Sequence, residues 1–338
     1  MDPGSGRPEV LNYQVDIPSP NLPTYYRNER NEVLYVDPRS RAQPREADIW
    51  GKMTKTNSIN ILPFRGWGLD KNNYITRMYS DFGSFGDFDK YVFDMNTKPE
   101  LLVPEPLIYY FAWCILNACI FMEFGPESHE GTWTPIVHRD IKPQNIILTE
   151  AKDGIAEQFG WPTFQLIDWG GACEPSDPMF DNPRDFTTTG TFGFRAPEGY
   201  RFYGPEIYRE KITPKADIYS LGVMLWRLMN PQDHPWGPRL GHERLHGGHQ
   251  EEHVSELRWS HRPYSDLLKL NVLRCLRFWP DSRPTARALK CQVEAELLKY
   301  AEKGYWRSPG DLAWPFARLK YPRFHVGGSI DAEFFAAR

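Results

Sequence analysis

The chain has 338 residues, of which 41% are hydrophobic and 25% are charged, and its formal net charge at pH 7 is −4. This is the composition of an ordinary globular protein with one large domain or two lobes, and it lacks the basic excess that favours a nucleic-acid partner. The five cysteines are odd in number and form no C-x-x-C pair. They argue against a disulfide framework or a zinc ribbon and favour a reducing compartment, the cytoplasm or the nucleus.

The N-terminal quarter of the chain predicts a lead-in followed by a small β-rich part. Residues 1–24 contain five prolines, no periodicity and no apolar segment of the kind found in signal peptides, so they predict a loosely packed tail. Residues 25–82 predict strands at 32–36 and 73–79, which are rich in Val, Ile and Tyr, and a short helix within 45–56.

The rest of the chain predicts mostly helices. The apolar run at 107–122 is short for a bilayer span and contains Asn117, so we expect a buried helix over 105–124 and no membrane association. Two short strands and three more helices are predicted at 145–148, 164–167, 217–229, 265–278 and 284–301. Few strands followed by many helices are typical of an α+β fold with two lobes. We expect residues 306–338 to form a C-terminal tail that packs on the lobes.

Five motifs lie in order along this helical part. They are His138-Arg139-Asp140 with Asn145, Asp168-Trp169-Gly170, "TTTGTFGFRAPE" at 187–198, "DIYSLG" at 217–222 and "DSRPTA" at 281–286. Together they resemble the eukaryotic protein kinase family of the serine/threonine type, over roughly residues 58–300. The resemblance implies a two-lobed kinase-like fold, with a reduced N-lobe at 25–82 and a mostly helical C-lobe at 83–305. It also implies ATP and Mg²⁺ as cofactors and a protein as substrate.

Four polar side chains in these motifs suit phosphoryl transfer, in which a protein mainly positions the reactants and neutralises spreading phosphate charge. The resemblance implies that Asp140 is the catalytic base for the substrate hydroxyl and that Lys142 neutralises the γ-phosphate. It implies that Asn145 and Asp168 supply oxygen ligands for Mg²⁺, a hard cation that prefers them. A lone aspartate in such a loop usually caps a turn, but its three companions favour the catalytic interpretation.

Other residues match supporting positions of the family. Lys142 in the H-R-D-x-K-x-x-N pattern is typical of serine/threonine kinases, and Thr191 matches the residue that contacts the catalytic aspartate and lysine. Glu198 and Arg283 match a buried ion pair of the C-lobe, which fixes geometry rather than adding stability. Asp217 matches the helix residue that holds the backbone of the catalytic loop. The resemblance implies structural roles for these last three.

The residues beside the catalytic and metal positions leave an alternative open. Arg139 resembles the arginine of kinases whose activation loop is ordered by phosphorylation, since an arginine there pairs with a phosphate. The threonines at 187–189 are the candidate acceptors, and the alternative is that they form a simple polar loop. His138 is expected to be a packed structural residue. Trp169 replaces the usual phenylalanine and, if buried, needs a partner for its indole N–H.

The N-terminal part departs from the family. It contains neither a G-x-G-x-x-G loop nor a V-A-I-K strand, and no lysine precedes Lys52. Counting back from the strand at 73–79 places the missing lysine near Arg27 or Arg30, whose planar charge does not replace a compact ammonium. Glu46 is the candidate partner on the helix, and a further hypothesis is that Lys52 or Lys55 supplies the charge.

The stretch "YSDFGSFGDF" at 79–88 predicts the segment that connects the lobes. We expect the backbone around Met78 and Ser80 to bind adenine, and Arg77 to occupy the position that limits the depth of the pocket. Residues 234–261 hold six of the nine histidines, which raises the hypothesis of a zinc site, but the surrounding Gly, Pro and Glu favour a solvated loop.

Three functions remain open at this point. The retained catalytic side chains favour an active serine/threonine kinase, whereas the missing glycine-rich loop and strand lysine favour a pseudokinase that acts as a binding module. A small-molecule kinase is the third hypothesis, and it is disfavoured by Lys142 together with the A-P-E and "DIYSLG" motifs. The sequence predicts no nucleic-acid or membrane partner.

Overall fold

A computed structural model of the chain describes residues 10–16, 25–27, 33–35, 45–70, 75–96, 103–126, 131–178, 180–184, 186, 189–200, 210–230 and 264–302. The strands are β1 (Val10–Asp16), β2 (Tyr25–Arg27), β3 (Val33–Tyr35), β4 (Phe64–Asp70), β5 (Ile75–Asp81), β6 (Ile146–Thr149) and β7 (Thr163–Leu166). The helices are α1 (Arg45–Thr54), α2 (Phe88–Asn96), α3 (Glu105–Phe124), α4 (Gly154–Phe159), α5 (Lys215–Met229), α6 (Asp266–Cys275) and α7 (Ala286–Glu302).

The small lobe is built around an antiparallel sheet with strand order β1-β5-β4, beside which β2 and β3 pair separately. Helix α1 packs on β4, because the side chains of Ala47, Trp50 and Met53 recur at helical spacing and are all buried. The short helix predicted within 45–56 is therefore confirmed. Residues 10–16 were expected in a loose tail, but they form β1 along the full length of β5, which corrects that expectation.

The large lobe is organised by α3, which contacts α5 and α7 and lies against β7. Pro106 stands in its first turn, where a missing N–H does no harm, and Gly125 ends the helix at a positive φ of 69°. By length and composition alone α3 would suit a membrane span, but 67% of its most apolar window is buried inside the structure. The prediction of a buried helix over 105–124 is confirmed.

A loop of the small lobe is hydrogen-bonded to a two-stranded hairpin of the large lobe. The hairpin of β6 and β7 carries the loop 58–62 of the small lobe on its edge, where Leu62 N–H donates to Leu166 O (3.2 Å) and Leu166 N–H donates to Asn60 O (2.9 Å). The Asn60 side-chain amide adds a bond to Phe164 O at 3.1 Å. These bonds attach the small lobe to β6 and β7, the strands next to the predicted catalytic loop at 138–145.

The architecture confirms the predicted two-lobed α+β fold with a reduced N-lobe and a mostly helical C-lobe. The predicted helices at 217–229, 265–278 and 284–301 correspond to α5, α6 and α7, and α4 forms in the insert between the two predicted strands. The histidine-rich stretch 234–261, the tail 306–338 and Arg30 lie outside the described residues.

Candidate active site

The catalytic loop is fixed from both sides by backbone hydrogen bonds. Val137 and Cys173 exchange two N–H···O bonds of 2.8 and 2.9 Å, which pair the start of the loop with the segment after Asp168. The carboxylate of Asp217, at the start of α5, accepts from the backbone N–H groups of His138 (2.8 Å) and Arg139 (2.9 Å). Burial raises the pKa of Asp217, although these N–H groups and the nearby imidazole and guanidinium oppose the rise. The predicted structural position of Asp217 is therefore observed.

Asp140 lies at the centre of a cluster of donors. Its Oδ2 accepts from Lys142 Nζ at 2.8 Å and from Asn145 Nδ2 at 3.0 Å, and its Oδ1 accepts from the Thr191 backbone N–H at 2.7 Å. Burial alone would raise the pKa of Asp140, but the hydrogen bonds and the charge of Lys142 outweigh it, so the pKa lies below its ordinary value. The carboxylate is thus held ionised and oriented, as a proton acceptor requires.

Lys142 bridges the catalytic loop and the segment that carries Thr191. Its ammonium donates to Asp140 Oδ2 and to Thr191 Oγ1, both at 2.8 Å, and its side chain is only 18% exposed. Residues 51 positions apart in the sequence, Asp140 and Thr191, are thereby brought into one network. The structure brings together three of the residues that the sequence singled out, and it gives the lysine a fixed position beside the carboxylate.

The hairpin of β6 and β7 brings Asn145 and Asp168 to the same end. Asn145 immediately precedes β6 and Asp168 follows β7, and the antiparallel register pairs Ile146 with Leu166. The backbone N–H of Ile167 donates to Asn145 O at 3.0 Å, which closes this end of the hairpin. Asn145 is buried, and its amide also donates to the Asp140 carbonyl at 2.9 Å.

The donor set fits Mg²⁺. An amide oxygen of Asn145 and the carboxylate of Asp168 are hard oxygen ligands, and Mg²⁺ commonly takes one or two protein ligands together with phosphate oxygens. No group of three or more His, Cys, Asp or Glu side chains forms a metal site within the described ranges. Asp168 has a left-handed backbone with φ of 64°, and its Oδ1 accepts from Gly170 N–H at 3.4 Å. That conformation is strained for an aspartate, and such strain is found where a side chain must be aimed.

His138 and Trp169 are packing residues. His138 is fully buried, with Nε2 at 3.0 Å from the Ile167 carbonyl and Nδ1 accepting from the Asp140 N–H at 3.3 Å. Its ring meets Trp169 edge-on at 5.0 Å between centroids. The indole nitrogen of Trp169 is buried and has no hydrogen-bond partner among the described residues, so the substitution of tryptophan for phenylalanine keeps the packing and leaves one donor unsatisfied.

Met78 and Ser80 lie inside β5 and not in the segment that connects the lobes. Both are buried, and the strand pairs with β1 on one side and β4 on the other, so the backbone groups of both residues belong to the sheet. Arg77 lies in the same strand. The predicted connecting segment, 79–88, contains the residues between β5 and α2, but its first three residues belong to the strand, which runs on through Asp81.

The connecting segment between β5 and α2, residues 82–87, packs tightly on the large lobe. A Cβ built on Gly83 would lie 1.8 Å from Ile147 Cγ2, so only glycine fits there. Phe85 N–H donates to Leu148 O at 3.1 Å, and Leu148 N–H donates to Gly86 O at 2.9 Å. These contacts attach the residues between β5 and α2 to β6 of the large lobe.

The charge expected from the missing lysine is not supplied by Lys52. Its ammonium binds Asp48 Oδ2 at 3.0 Å and Glu174 Oε1 at 3.1 Å. The strand that flanks β5 opposite β4 is β1, "VLNYQVD", which contains no lysine or arginine. Glu46 reaches the turn after Asp168, since a Cβ built on Gly170 would lie 3.5 Å from its Oε2. The side chain of Arg27 lies outside the described residues.

Comparison with known proteins decides the family. A sequence model described as "Protein kinase domain" matches residues 36–293, well over half of the chain. The chain belongs to the protein kinase family. The matched range contains Asp140, Asn145, Asp168 and Thr191.

Similar proteins include receptor-like kinases of Arabidopsis thaliana. The chain is 26% identical over 227 residues to MDIS1-interacting receptor like kinase 1, which covers 67% of this chain and 18% of that protein. It is 31% identical over 187 residues to LRR receptor-like serine/threonine-protein kinase RGI1, covering 52% of this chain and 15% of the relative. It is 23% identical over 260 residues to leaf rust 10 disease-resistance locus receptor-like protein kinase-like 2.5, covering 72% of this chain and 35% of the relative. The chain therefore spans about a third or less of the length of these relatives.

Proposed function

We propose that this kinase domain transfers the γ-phosphate of ATP to a serine or threonine hydroxyl of a protein. The observation that carries the proposal is the cluster at Asp140, whose two carboxylate oxygens are fixed by Lys142, Asn145 and Thr191 at 2.7 to 3.0 Å. An ionised, oriented carboxylate next to an ammonium group suits a reaction in which a proton leaves and phosphate charge must be neutralised.

In the proposed reaction the substrate hydroxyl oxygen forms a bond to the γ-phosphorus while the bond from that phosphorus to the ADP oxygen breaks. Asp140 accepts the hydroxyl proton. The ammonium of Lys142 lies beside the transferred phosphoryl group, and Thr191 holds this ammonium in place. Asn145 and Asp168 would hold Mg²⁺, which supplies positive charge at the β- and γ-phosphates.

We place the adenine of ATP on the segment after β5 rather than on Met78 and Ser80. The segment around Gly83 leaves the sheet and lies directly on Ile147, so its backbone is at the border of the two lobes. The backbone groups of Met78 and Ser80 are used in β5, whereas Ser84 lies outside the sheet, between Gly83, whose carbonyl accepts from Gly86 N–H at 3.1 Å, and Phe85, whose N–H donates to Leu148 O.

A pseudokinase is the second candidate, and the lack of any lysine in β1 favours it. In this function the chain would bind a protein partner without turnover. Calorimetric titration with ATP, with and without Mg²⁺, separates the two candidates when it is combined with an assay of phosphate transfer to a random serine/threonine peptide library. Asp140→Asn should keep Mg²⁺-dependent ATP binding and lose transfer.

Asp168→Asn should lose Mg²⁺-dependent ATP binding, because an amide supplies a neutral oxygen in place of a carboxylate. The matched control is Asp266→Asn, which changes an exposed carboxylate at the start of α6 and should leave binding unchanged. ATP binding without transfer by the unaltered chain would support the pseudokinase. A wild-type chain that binds no ATP at all would overturn the proposed kinase activity. We also propose a protein partner as substrate and a cytoplasmic or nuclear location.

A further inference from the structure

Two phenylalanines of the segment after Asp168 lie between two arginines, with their ring planes tilted by 37°. Phe180 and Phe186 have ring centroids 5.5 Å apart. The guanidinium carbon of Arg45 lies 4.5 Å from the centroid of Phe180, and that of Arg139 lies 5.2 Å from the centroid of Phe186. Both distances are within the range of cation–π attraction. We call these four residues the arginine–phenylalanine clamp.

The clamp joins three separate parts of the kinase domain. Arg45 is the first residue of α1, the helix that carries Glu46, and Arg139 belongs to the catalytic loop. The two phenylalanines belong to the segment between Asp168 and Thr191, which we call the activation segment. The clamp thus connects the small lobe to the catalytic loop through aromatic rings.

Arg139 also binds the backbone of the activation segment at both ends. Its Nε donates to Gly171 O at 2.7 Å and its Nη1 donates to Phe186 O at 2.8 Å. The sequence left open whether this arginine pairs with a phosphate on residues 187–189 or whether those residues form a simple polar loop, and in the structure two carbonyl groups and a ring face contact it. Two of the five N–H donors of this guanidinium are thereby engaged with the activation segment itself, so the arginine is bound to the segment without a phosphate.

The end of the activation segment is the part that reaches the catalytic carboxylate. Thr191 N–H donates to Asp140 Oδ1, and a Cβ built on Gly190 would lie 2.2 Å from Arg139 O. The backbone of Gly190 is therefore in direct contact with the backbone of Arg139, one of the four clamp residues. Phe186 lies five positions before Thr191, so we expect a movement of Phe186 away from Arg139 to weaken the bond between Thr191 and Asp140.

We propose that Phe180 and Phe186 are positioning residues that hold the activation segment in its catalytic conformation without phosphorylation of residues 187–189. The aromatic pair takes the place of a phosphate between α1 and the catalytic loop. This inference rests on the proposed kinase function for its activity readout, but its structural readout does not depend on turnover.

The first test compares Phe180→Leu with Phe180→Tyr. Phe180 is only half-buried, so a tyrosine hydroxyl has access to solvent there, and the tyrosine ring keeps the cation–π face that leucine lacks. Hydrogen exchange of the Thr191 amide is the structural readout. We expect exchange to rise about two- to thirty-fold in the leucine variant, the factor that one cation–π contact is worth, and to return towards wild type in the tyrosine variant. Equal exchange in both variants would overturn the proposal.

The second test addresses phosphorylation. The variant Thr187→Val/Thr188→Val/Thr189→Val cannot be phosphorylated at these positions, and phosphatase-treated wild type serves as its comparison. We expect both to keep the Thr191 amide protection of the untreated chain and the same kcat for peptide phosphorylation. Protection that rises on phosphorylation of these threonines would overturn the proposal, since a phosphate would then be the bridge to Arg45 and Arg139. If no peptide is phosphorylated at all, the proposed activity fails, while amide exchange still decides the role of the clamp.

Discussion

Replacing Arg283 with methionine should destabilise the large lobe more than replacing its partner Glu198 with glutamine. Both side chains are completely buried, and two parallel bonds of 2.7 Å join the guanidinium to the carboxylate. The remaining N–H groups of Arg283 donate to the carbonyls of Arg277 (2.7 Å), Lys215 (3.0 Å) and Phe278 (2.6 Å). All five guanidinium donors are therefore used.

The two substitutions remove different numbers of contacts. Glu198→Gln leaves one buried cation uncompensated, and breaking a buried pair in this way costs about 3–5 kcal/mol. Arg283→Met breaks the same pair and also removes the donors to three carbonyls, of which that of Phe278 belongs to a buried residue, and leaving a buried carbonyl without its donor costs about 1–3 kcal/mol. The free energy of unfolding should therefore fall by about 1–3 kcal/mol more in Arg283→Met than in Glu198→Gln.

Urea unfolding followed by circular dichroism measures the difference. The control is Lys299→Met, which breaks the ion pair between Lys299 and Glu296. The Lys299 side chain is 59% exposed, so this substitution should change the free energy of unfolding by less than about 1 kcal/mol. If Glu198→Gln destabilises the chain as much as Arg283→Met, the carbonyl bonds contribute nothing and the reasoning from donor satisfaction is refuted. A double variant that recovers part of the loss would show how much of it comes from the uncompensated charge.

Three further outcomes are expected. Asp217→Asn should lower the free energy of unfolding by about 1–3 kcal/mol, because its amide turns a donor towards the backbone N–H of His138 or Arg139; thermal unfolding measures this, and an unchanged midpoint would contradict it. Gly190→Ala should abolish amide protection around the activation segment, because its methyl group would lie 2.2 Å from Arg139 O at a φ of 96°; protection like that of wild type would contradict this. Because the pKa of Asp140 is lowered in the folded chain, its carboxylate stabilises the fold above the unfolded pKa of about 3.9. This contribution is lost as the pH falls through the folded pKa. When the pH is lowered below about 4, the free energy of unfolding should therefore fall less in Asp140→Asn than in wild type.

The cluster around Asp140 could be predicted from sequence because its members lie in short loops of fixed spacing. Asp140, Lys142 and Asn145 lie within six consecutive positions, so one loop conformation places all three. The strand before the connecting segment was predicted to end at 79 rather than at Asp81, because the mixed sequence of β5, "ITRMYSD", has no signal that ends it at one residue rather than another. The arginine–phenylalanine clamp was missed for a different reason. Arg45 and Phe180 are far apart in sequence, and only tertiary packing brings them together.

The left-handed backbone at Asp168 lowers the stability of the folded chain at a residue that we propose to bind Mg²⁺. A residue with a side chain at φ of 64° is strained by an amount of order 1–3 kcal/mol, and glycine adopts the same φ without strain. Asp168→Gly should therefore make the folded chain more resistant to heat while removing the carboxylate proposed to hold Mg²⁺. A sequence optimised for folding alone would favour glycine here. The aspartate is thus a place where the chain accepts lower stability in exchange for chemistry.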